Sequence, residues 1–184
     1  MAENVSDERT AYLERALFMI GEQDAGKSTQ LRSMFLDRRL GTGSVVPTKK
    51  KLPAVHPLSN ERWLYLRLTS PHEAEEDLAT FLQKCRSNMA GGHRWNFAGP
   101  LQPSGSVMLG DAPAVISAFV SHFQPERVRA VLLSPDRFGQ AMVGRNLAAN
   151  MAALRAIPRV EVILCDATSR EANGLVYADF FDFT

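Results

Sequence analysis

The stretch ALFMIGEQDAGKST, residues 16–29, decides the fold of this chain. Its first five residues are all apolar, which is typical of a buried strand. Residues 21–28 then fit the pattern G-x-x-x-x-G-K-[ST], and a helix-compatible stretch follows over residues 29–39. A strand, a glycine-containing turn and a helix therefore follow one another directly, which is the context that this pattern requires.

The glycines and the lysine of this pattern are suited to binding phosphate. Gly21 and Gly26 let the backbone turn with its N–H groups pointing inward, where they can donate to phosphate oxygens. Lys27 would reach the β- and γ-phosphates, and the Ser28 hydroxyl would bind Mg²⁺. The residues expected to contact the nucleotide are Gly21, Glu22, Gln23, Asp24, Ala25, Gly26, Lys27, Ser28 and Thr29. The alternative is an ordinary glycine-containing turn between a strand and a helix.

The motif and its context resemble the Walker A loop of the P-loop NTPase superfamily. The resemblance implies an α/β fold of the P-loop NTPase type, a three-layer sandwich with a mainly parallel sheet. It also implies that the protein binds a nucleoside triphosphate, ATP or GTP, together with Mg²⁺, and it makes Lys27 a catalytic residue.

Length and composition are those of a globular domain. The chain has 184 residues, 45% of them hydrophobic and 22% charged, so we expect a single nucleotide-binding domain over residues 1–184. A net charge of +1 gives no support for nucleic-acid binding as the main activity. The polar start does not resemble a secretion signal, and no apolar run approaches the roughly 20 residues that span a bilayer. The expected location is the cytoplasm, with no membrane partner.

Short apolar runs alternate with helix-compatible stretches along the chain, which indicates βα units and a mainly parallel sheet. The pattern predicts strands at residues 16–20, 62–69, 128–134 and 160–165, with weaker candidates at 94–98 and 106–110. It predicts helices at residues 27–39, 72–88, 111–123, 138–156 and 170–181.

Residues 40–60 fit neither pattern. Prolines, glycines and three consecutive lysines predict a flexible loop there. It is either a plain solvated loop or a lid or switch segment beside the nucleotide.

Phosphoryl chemistry with Mg²⁺ calls for a carboxylate on the metal side, usually at the end of a strand. Three aspartates follow apolar runs and could supply it: Asp136, Asp166 and Asp111. Each could equally be a cap or turn residue.

The same loop is similar to the phosphate loop of signalling GTPases. Residues 95–99, Trp-Asn-Phe-Ala-Gly, are similar to the Trp-Asp-x-x-Gly element of that family, which makes Asn96 a candidate beside the metal. The amide of Asn96 could orient a metal-bound water but supplies no charge. The chain has no Asn-Lys-x-Asp motif, so no preference for guanine over adenine follows.

A rival resemblance is to small nucleotide kinases. Residues 26–30, Gly-Lys-Ser-Thr-Gln, are similar to the start of their first helix, and Asp136-Arg137-Phe138 is similar to an Asp-Arg-aromatic motif of thymidylate-kinase-like enzymes. This resemblance implies that Arg137 stabilises the transferring phosphoryl group, because its guanidinium donates to two oxygens at once. Asp24 either orients the attacking group or faces away from the phosphates and pairs with an arginine.

Three functions are compatible with these patterns. The first is Mg²⁺-dependent binding and hydrolysis of a nucleoside triphosphate, as an enzyme or a nucleotide-sensing switch. The second is phosphoryl transfer by a small-molecule or nucleotide kinase. The third is a catalytically weak nucleotide-binding subunit that acts through a protein partner. The aromatic cluster Phe180-Phe181-Asp182-Phe183 is expected to dock on the core, or to bind that partner if it is exposed.

Overall fold

A sheet of six strands forms the centre of the computed structural model, which describes residues 11–41, 43–48, 52–142 and 144–182. Across the sheet the order is β2-β3-β4-β1-β5-β6, and all neighbouring strands are parallel except β2 and β3. The strands are β1 (Tyr12–Ile20), β2 (Val55–Pro57), β3 (Arg62–Leu66), β4 (Arg94–Leu101), β5 (Arg127–Leu133) and β6 (Val160–Cys165).

Helices cover both faces of this sheet. Those that the described residues form are α1 (Lys27–Ser33), α2 (Leu78–Asn88), α3 (Ala112–Phe123), α4 (Gly144–Arg155) and α5 (Arg170–Asp179), with two 3-10 helices, Met34–Leu36 and Arg38–Leu40. On one face, Phe18 of β1 packs in a core with α2, α3 and α4, and its ring lies 5.1 Å from that of Phe119. On the other face, Leu17 packs with α1 and α5, where Tyr177 is fully buried. The predicted α/β class with a mainly parallel sheet is confirmed.

Strand β1 lies between β4 and β5 and is buried on both sides, which explains its almost continuous apolar sequence. The chain leaves β1 towards β3, returns to β4 beside β1, and then crosses to β5 on the opposite side. In open α/β sheets, ligands bind outside the carboxyl ends of the strands, at the point where the order reverses. Residues 21–28 lie at this point, because they follow β1 directly.

Several predicted elements have different bounds in the structure. The predicted helix over residues 72–88 begins only at Leu78, because Asp77 caps it by accepting a hydrogen bond from the Thr80 N–H and Glu75 has a positive φ of 52°. The predicted helix over 27–39 is α1 followed by 3-10 turns, and α4 begins at Gly144 rather than at 138.

Two strand predictions also change. Residues 94–98 form part of β4, the immediate neighbour of β1, whereas residues 106–110 form a turn in which the Ser106 hydroxyl accepts from the Leu109 N–H. The stretch 40–60, predicted to be a flexible loop, contains β2, which pairs with β3. Its three lysines, residues 49–51, lie outside the described residues.

Of residues 180–183, which are expected to dock on the core, Phe180 and Phe181 do so, and Phe183 lies outside the described residues. Phe180 and Phe181 are buried beneath α5, at 3% and 0% exposure. No helix in the described ranges is both long and apolar enough to cross a membrane.

Candidate functional site

The loop between β1 and α1 is held from both sides. The Gly21 N–H donates to the Leu101 carbonyl of β4 (3.2 Å), and the Arg137 N–H after β5 donates to the Ala25 carbonyl (3.1 Å). Gly26 has a φ of 99°, and a Cβ at this position would lie 3.1 Å from Cβ of Arg137. Both the left-handed backbone and the close approach of Arg137 therefore require glycine.

Lys27 is folded back against this loop. Its side chain is 4% exposed, and Nζ donates to the carbonyls of Gly21 (3.0 Å) and Glu22 (2.7 Å). The nearest carboxylate belongs to Glu73, whose Oε1 lies 3.6 Å from Nζ. Burial lowers the pKa of Lys27, and the Glu73 carboxylate opposes that shift. The ammonium group has neutral partners at close range and its anionic partner at a longer distance.

A cavity of about 310 Å³ opens in front of Lys27. It brings together several residues that the sequence predicts to contact a nucleotide, and it adds Glu73. Its lining consists of Gln23, Asp24, Gly26, Lys27, Ser28, Thr29, Glu73 and Arg137. We call this space the Lys27 cavity.

Ser28 ties the first turn of α1 to the segment that follows β3. Its hydroxyl donates to the Leu68 carbonyl at 2.6 Å. The predicted role of this hydroxyl at a metal requires its oxygen lone pairs, which this hydrogen bond leaves available.

Arg137 reaches the Lys27 cavity from the segment after β5. Its guanidinium lies 4.5 Å from the ring centre of Phe138 and forms no ion pair among the described residues. Arg137 also lines a neighbouring cavity of about 360 Å³, whose other lining residues are Gly26, Thr29, Gln30, Phe138, Ala167 and Thr168. Because three residues line both cavities, the two spaces adjoin.

Not every residue of the loop faces the Lys27 cavity. Glu22 and Ala25 line a third cavity of about 350 Å³ on the other side, together with Gln23 and Asp136. Gly21 contributes its carbonyl to Lys27 rather than a surface to the cavity.

Asn96 lies at the opposite end of the sheet. It pairs with Arg15 in the β4–β1 register, whereas Leu101 pairs with Ile20 at the end that carries the loop. Five residues of strand correspond to about 16 Å. The expectation that Asn96 shares a magnesium ion with Ser28 is therefore wrong, and its amide is instead fully buried near Glu14 and the Trp63 carbonyl.

All three aspartates that could supply the metal-side carboxylate accept hydrogen bonds within their own segments. Asp136 Oδ1 accepts from the N–H groups of Phe138 (2.8 Å) and Gln140 (2.9 Å). Asp166 Oδ1 accepts from the hydroxyl (2.5 Å) and the N–H (2.8 Å) of Thr168, and these bonds lower the pKa of its carboxyl. Neither carboxylate lines the Lys27 cavity. Asp111 caps α3 through the Ala114 N–H.

Glu73 is the site residue that sequence reasoning missed. It lies in the turn between β3 and α2, which the predicted helix over 72–88 concealed. The available signal was its position: it follows a predicted strand closely, and the carboxyl ends of parallel strands meet at one edge of a sheet.

This turn is anchored on two sides. Arg67 and Glu76 form a bidentate ion pair, in which Nη1 donates to Oε2 at 3.0 Å and Nη2 donates to Oε1 at 3.1 Å. Both side chains are at least nine-tenths buried. His72 Nε2 donates to the Gly110 carbonyl (3.0 Å), while Nδ1 accepts from the Gln102 N–H (3.4 Å). Burial lowers the pKa of His72, and the nearby Lys27 lowers it further. Glu73 therefore sits on a fixed support.

The Lys27 cavity has the oxygen donors that Mg²⁺ prefers. Ser28 offers a hydroxyl, and Asp24 and Glu73 offer carboxylates. Across the described ranges, no three histidine, cysteine, aspartate or glutamate side chains form a metal-binding group. The donors present suit an ion that a bound ligand would hold in part, as is common for Mg²⁺ at phosphates.

Comparisons with known proteins do not assign this chain to a family. A scan against protein-family models finds no match, and neither the curated proteins nor the solved structures yield one. The residues of the site are therefore the basis for any proposal about its chemistry.

Proposed function

We propose that the protein binds a nucleoside triphosphate with Mg²⁺ in the Lys27 cavity and hydrolyses it. The observation that carries this proposal is the convergence of Lys27 and Arg137, from two distant parts of the chain, on one cavity beside a loop that requires glycine. On this proposal the fold is of the P-loop NTPase type, and the protein acts in the cytoplasm, where Mg²⁺ and nucleotides are available.

Lys27 is suited to receive a phosphate. Its two close partners are neutral carbonyls, and an ammonium attracts an anionic oxygen more strongly than a neutral one, because the attraction between opposite charges adds to the hydrogen bond. A phosphate in the cavity would therefore compete well for Nζ. Burial strengthens the effect, since few waters can screen the charge of a side chain that is 4% exposed.

Arg137 supplies the second cation. Without an ion pair in the described part of the chain, its guanidinium can turn towards phosphate oxygens and donate two parallel hydrogen bonds. Its position on both cavities indicates the direction of the nucleotide. The terminal phosphate lies at Lys27, and the base lies in the neighbouring cavity, where the exposed ring of Phe138 offers a flat stacking surface.

Hydrolysis requires a group that orients water near the terminal phosphate. Asp24 lines the Lys27 cavity, is exposed, and has a positive φ of 62° that the loop imposes on it. Its carboxylate can accept a hydrogen bond from the attacking water. Mg²⁺, when bound with the nucleotide, neutralises phosphate charge and polarises the phosphoryl group.

Two other functions draw on particular contacts. A small-molecule or nucleotide kinase is favoured by Arg137, which lines the cavity as the Asp-Arg-aromatic motif implies. A catalytically weak subunit with a protein partner is favoured by Asp136 and Asp166, whose carboxylates do not line this cavity.

Incubation with radiolabelled ATP or GTP and Mg²⁺ separates the three functions. Release of phosphate without an acceptor indicates hydrolysis, transfer only with an added acceptor indicates a kinase, and tight binding without turnover indicates a binding subunit. Lys27→Ala should abolish turnover in the first two cases. Arg155→Ala, which removes an exposed charge at the end of α4, serves as the control. A Lys27→Ala variant with wild-type affinity and turnover would refute the proposed site.

A further inference from the structure

The Lys27 cavity carries as many carboxylates as cations. Lys27 and Arg137 are positive, whereas Asp24 and Glu73 are negative. A triphosphate bears several negative charges, and such a lining offers it no net compensation. A polyanion should therefore bind here more tightly together with a cation of its own than alone.

Glu73 is poorly placed to move away. Its carboxylate lies 3.6 Å from Nζ of Lys27, and its side chain is 33% exposed. The turn that carries it is held by the buried Arg67–Glu76 ion pair and by the hydrogen bonds of His72. A phosphate on Lys27 would consequently meet a nearby carboxylate, and like charges at such short range repel strongly in a partly buried site.

Neither neighbour of β1 provides a carboxylate that lines the Lys27 cavity, because Asp136 after β5 closes its own loop. Strand β4 ends at Leu101 and is followed by Gln102 and Pro103. Glu73 lies in the connection that follows β3, and the Ser28 hydroxyl donates to the Leu68 carbonyl of the same connection at 2.6 Å. The Ser28 hydroxyl and the Glu73 carboxylate thus line the same cavity, from two segments that are hydrogen-bonded to each other.

We infer that Glu73 is the carboxylate that holds Mg²⁺, with Ser28, against the phosphates of the bound nucleotide. This inference rests on the proposed function and deepens it. Glu73 opposes the binding of a bare nucleotide and favours the binding of its magnesium complex. The same side chain therefore makes nucleotide affinity depend on the metal.

Glu73→Gln tests this role, because it removes the charge and keeps the shape. Binding of fluorescent ATP and GTP analogues is titrated with excess EDTA and again with Mg²⁺. Relative to the wild type, the variant should bind about tenfold more tightly in EDTA, because the repulsion is gone, and about tenfold more weakly with Mg²⁺. Mn²⁺ paramagnetic resonance gives a direct reading of the metal: the variant should lose most of its nucleotide-dependent Mn²⁺ binding.

Glu75→Gln is the matched control. Glu75 lies on the same turn and is exposed, but it does not line the cavity, so its affinities should match those of the wild type under both conditions. Asp24→Asn tests the other carboxylate. If Asp24→Asn binds nucleotide more tightly in EDTA and more weakly with Mg²⁺, while Glu73→Gln does neither, then Asp24 holds the metal and the inference is overturned.

Different experimental results would overturn the inference and the proposed function. If the wild type binds nucleotide through Lys27 but Glu73→Gln changes neither affinity, Glu73 does not hold the metal and the proposed function stands. If the wild type binds neither analogue under either condition, both are overturned.

Discussion

Two buried charged side chains, Glu14 at the amino end of the sheet and Lys27 at the carboxyl end, differ in the partners they contact. At the amino end, Glu14 is 1% exposed and contacts two guanidinium groups, those of Arg62 at 3.0 Å and of Arg94. At the carboxyl end, Lys27 is equally buried but has a carboxylate only at 3.6 Å, and Arg137 has no ion pair among the described residues. The buried carboxylate of Glu14 thus has close guanidinium partners, whereas the buried ammonium of Lys27 has its carboxylate partner only at 3.6 Å.

The local environment explains the difference. Glu14 lies inside β1 at a register shift, surrounded by neighbouring strands that carry the arginines. Removing one partner from such a buried group leaves an uncompensated charge and destabilises the fold. The carboxyl end is built from connections rather than strands, so its charged groups can stand at the rim of an open cavity.

The largest expected effect is on stability at the amino end. Glu14→Ala should lower the free energy of unfolding by about 3 kcal/mol, because it leaves the Arg62 and Arg94 cluster without its carboxylate. Urea denaturation measures this change. Glu161→Ala, which removes a more exposed carboxylate from Arg129, should cost less than about 1 kcal/mol. Equal losses in the two variants would break the contrast between buried and exposed pairs.

The next effect is on ligand affinity at the carboxyl end. Lys27→Met keeps most of the buried stem and removes the charge, so nucleotide affinity should fall about 10- to 100-fold while the free energy of unfolding changes by less than about 1 kcal/mol. Titration with a fluorescent nucleotide and urea denaturation measure the two quantities. A large loss of stability without a loss of affinity would mean that Lys27 is a structural residue like Glu14.

Arg137→Ala should have a smaller effect of the same kind. Arg137 is exposed and forms no ion pair among the described residues, so its loss should weaken nucleotide binding by about tenfold and leave the urea midpoint unchanged. Arg155→Ala should change neither quantity. An unaltered affinity in Arg137→Ala would remove this side chain from the proposed site.

The smallest effect concerns pH. Burial holds the pKa of His72 below its ordinary value of about 6.5, so the unfolded chain takes up a proton before the folded one. Stability from this group is complete above that value and falls as the pH drops through it. Urea midpoints at pH 7.5 and 5.5 should therefore differ less in His72→Gln than in the wild type.

Local patterns predicted the centre of the molecule well. Strand β1, the loop after it and the start of α1 are continuous in the chain, and β1 is apolar on both faces because it is buried on both. Strands β5 and β6 and helix α3 also agree with their predictions within a few residues. The predictions for residues 106–110 and for the start of α2 were wrong, because hydrogen bonds that the Ser106 and Asp77 side chains accept outweighed the local patterns.

The sequence by itself determined the α/β class and the loop with Lys27 and Ser28, because adjacent residues specify that strand, turn and helix. Only the tertiary structure decided which distant side chains share the cavity. The strand order and register brought Arg137 and Glu73 to it and left Asn96 at the other end. Pairing between strands sets these distances, and no local pattern of residues records which strands become neighbours.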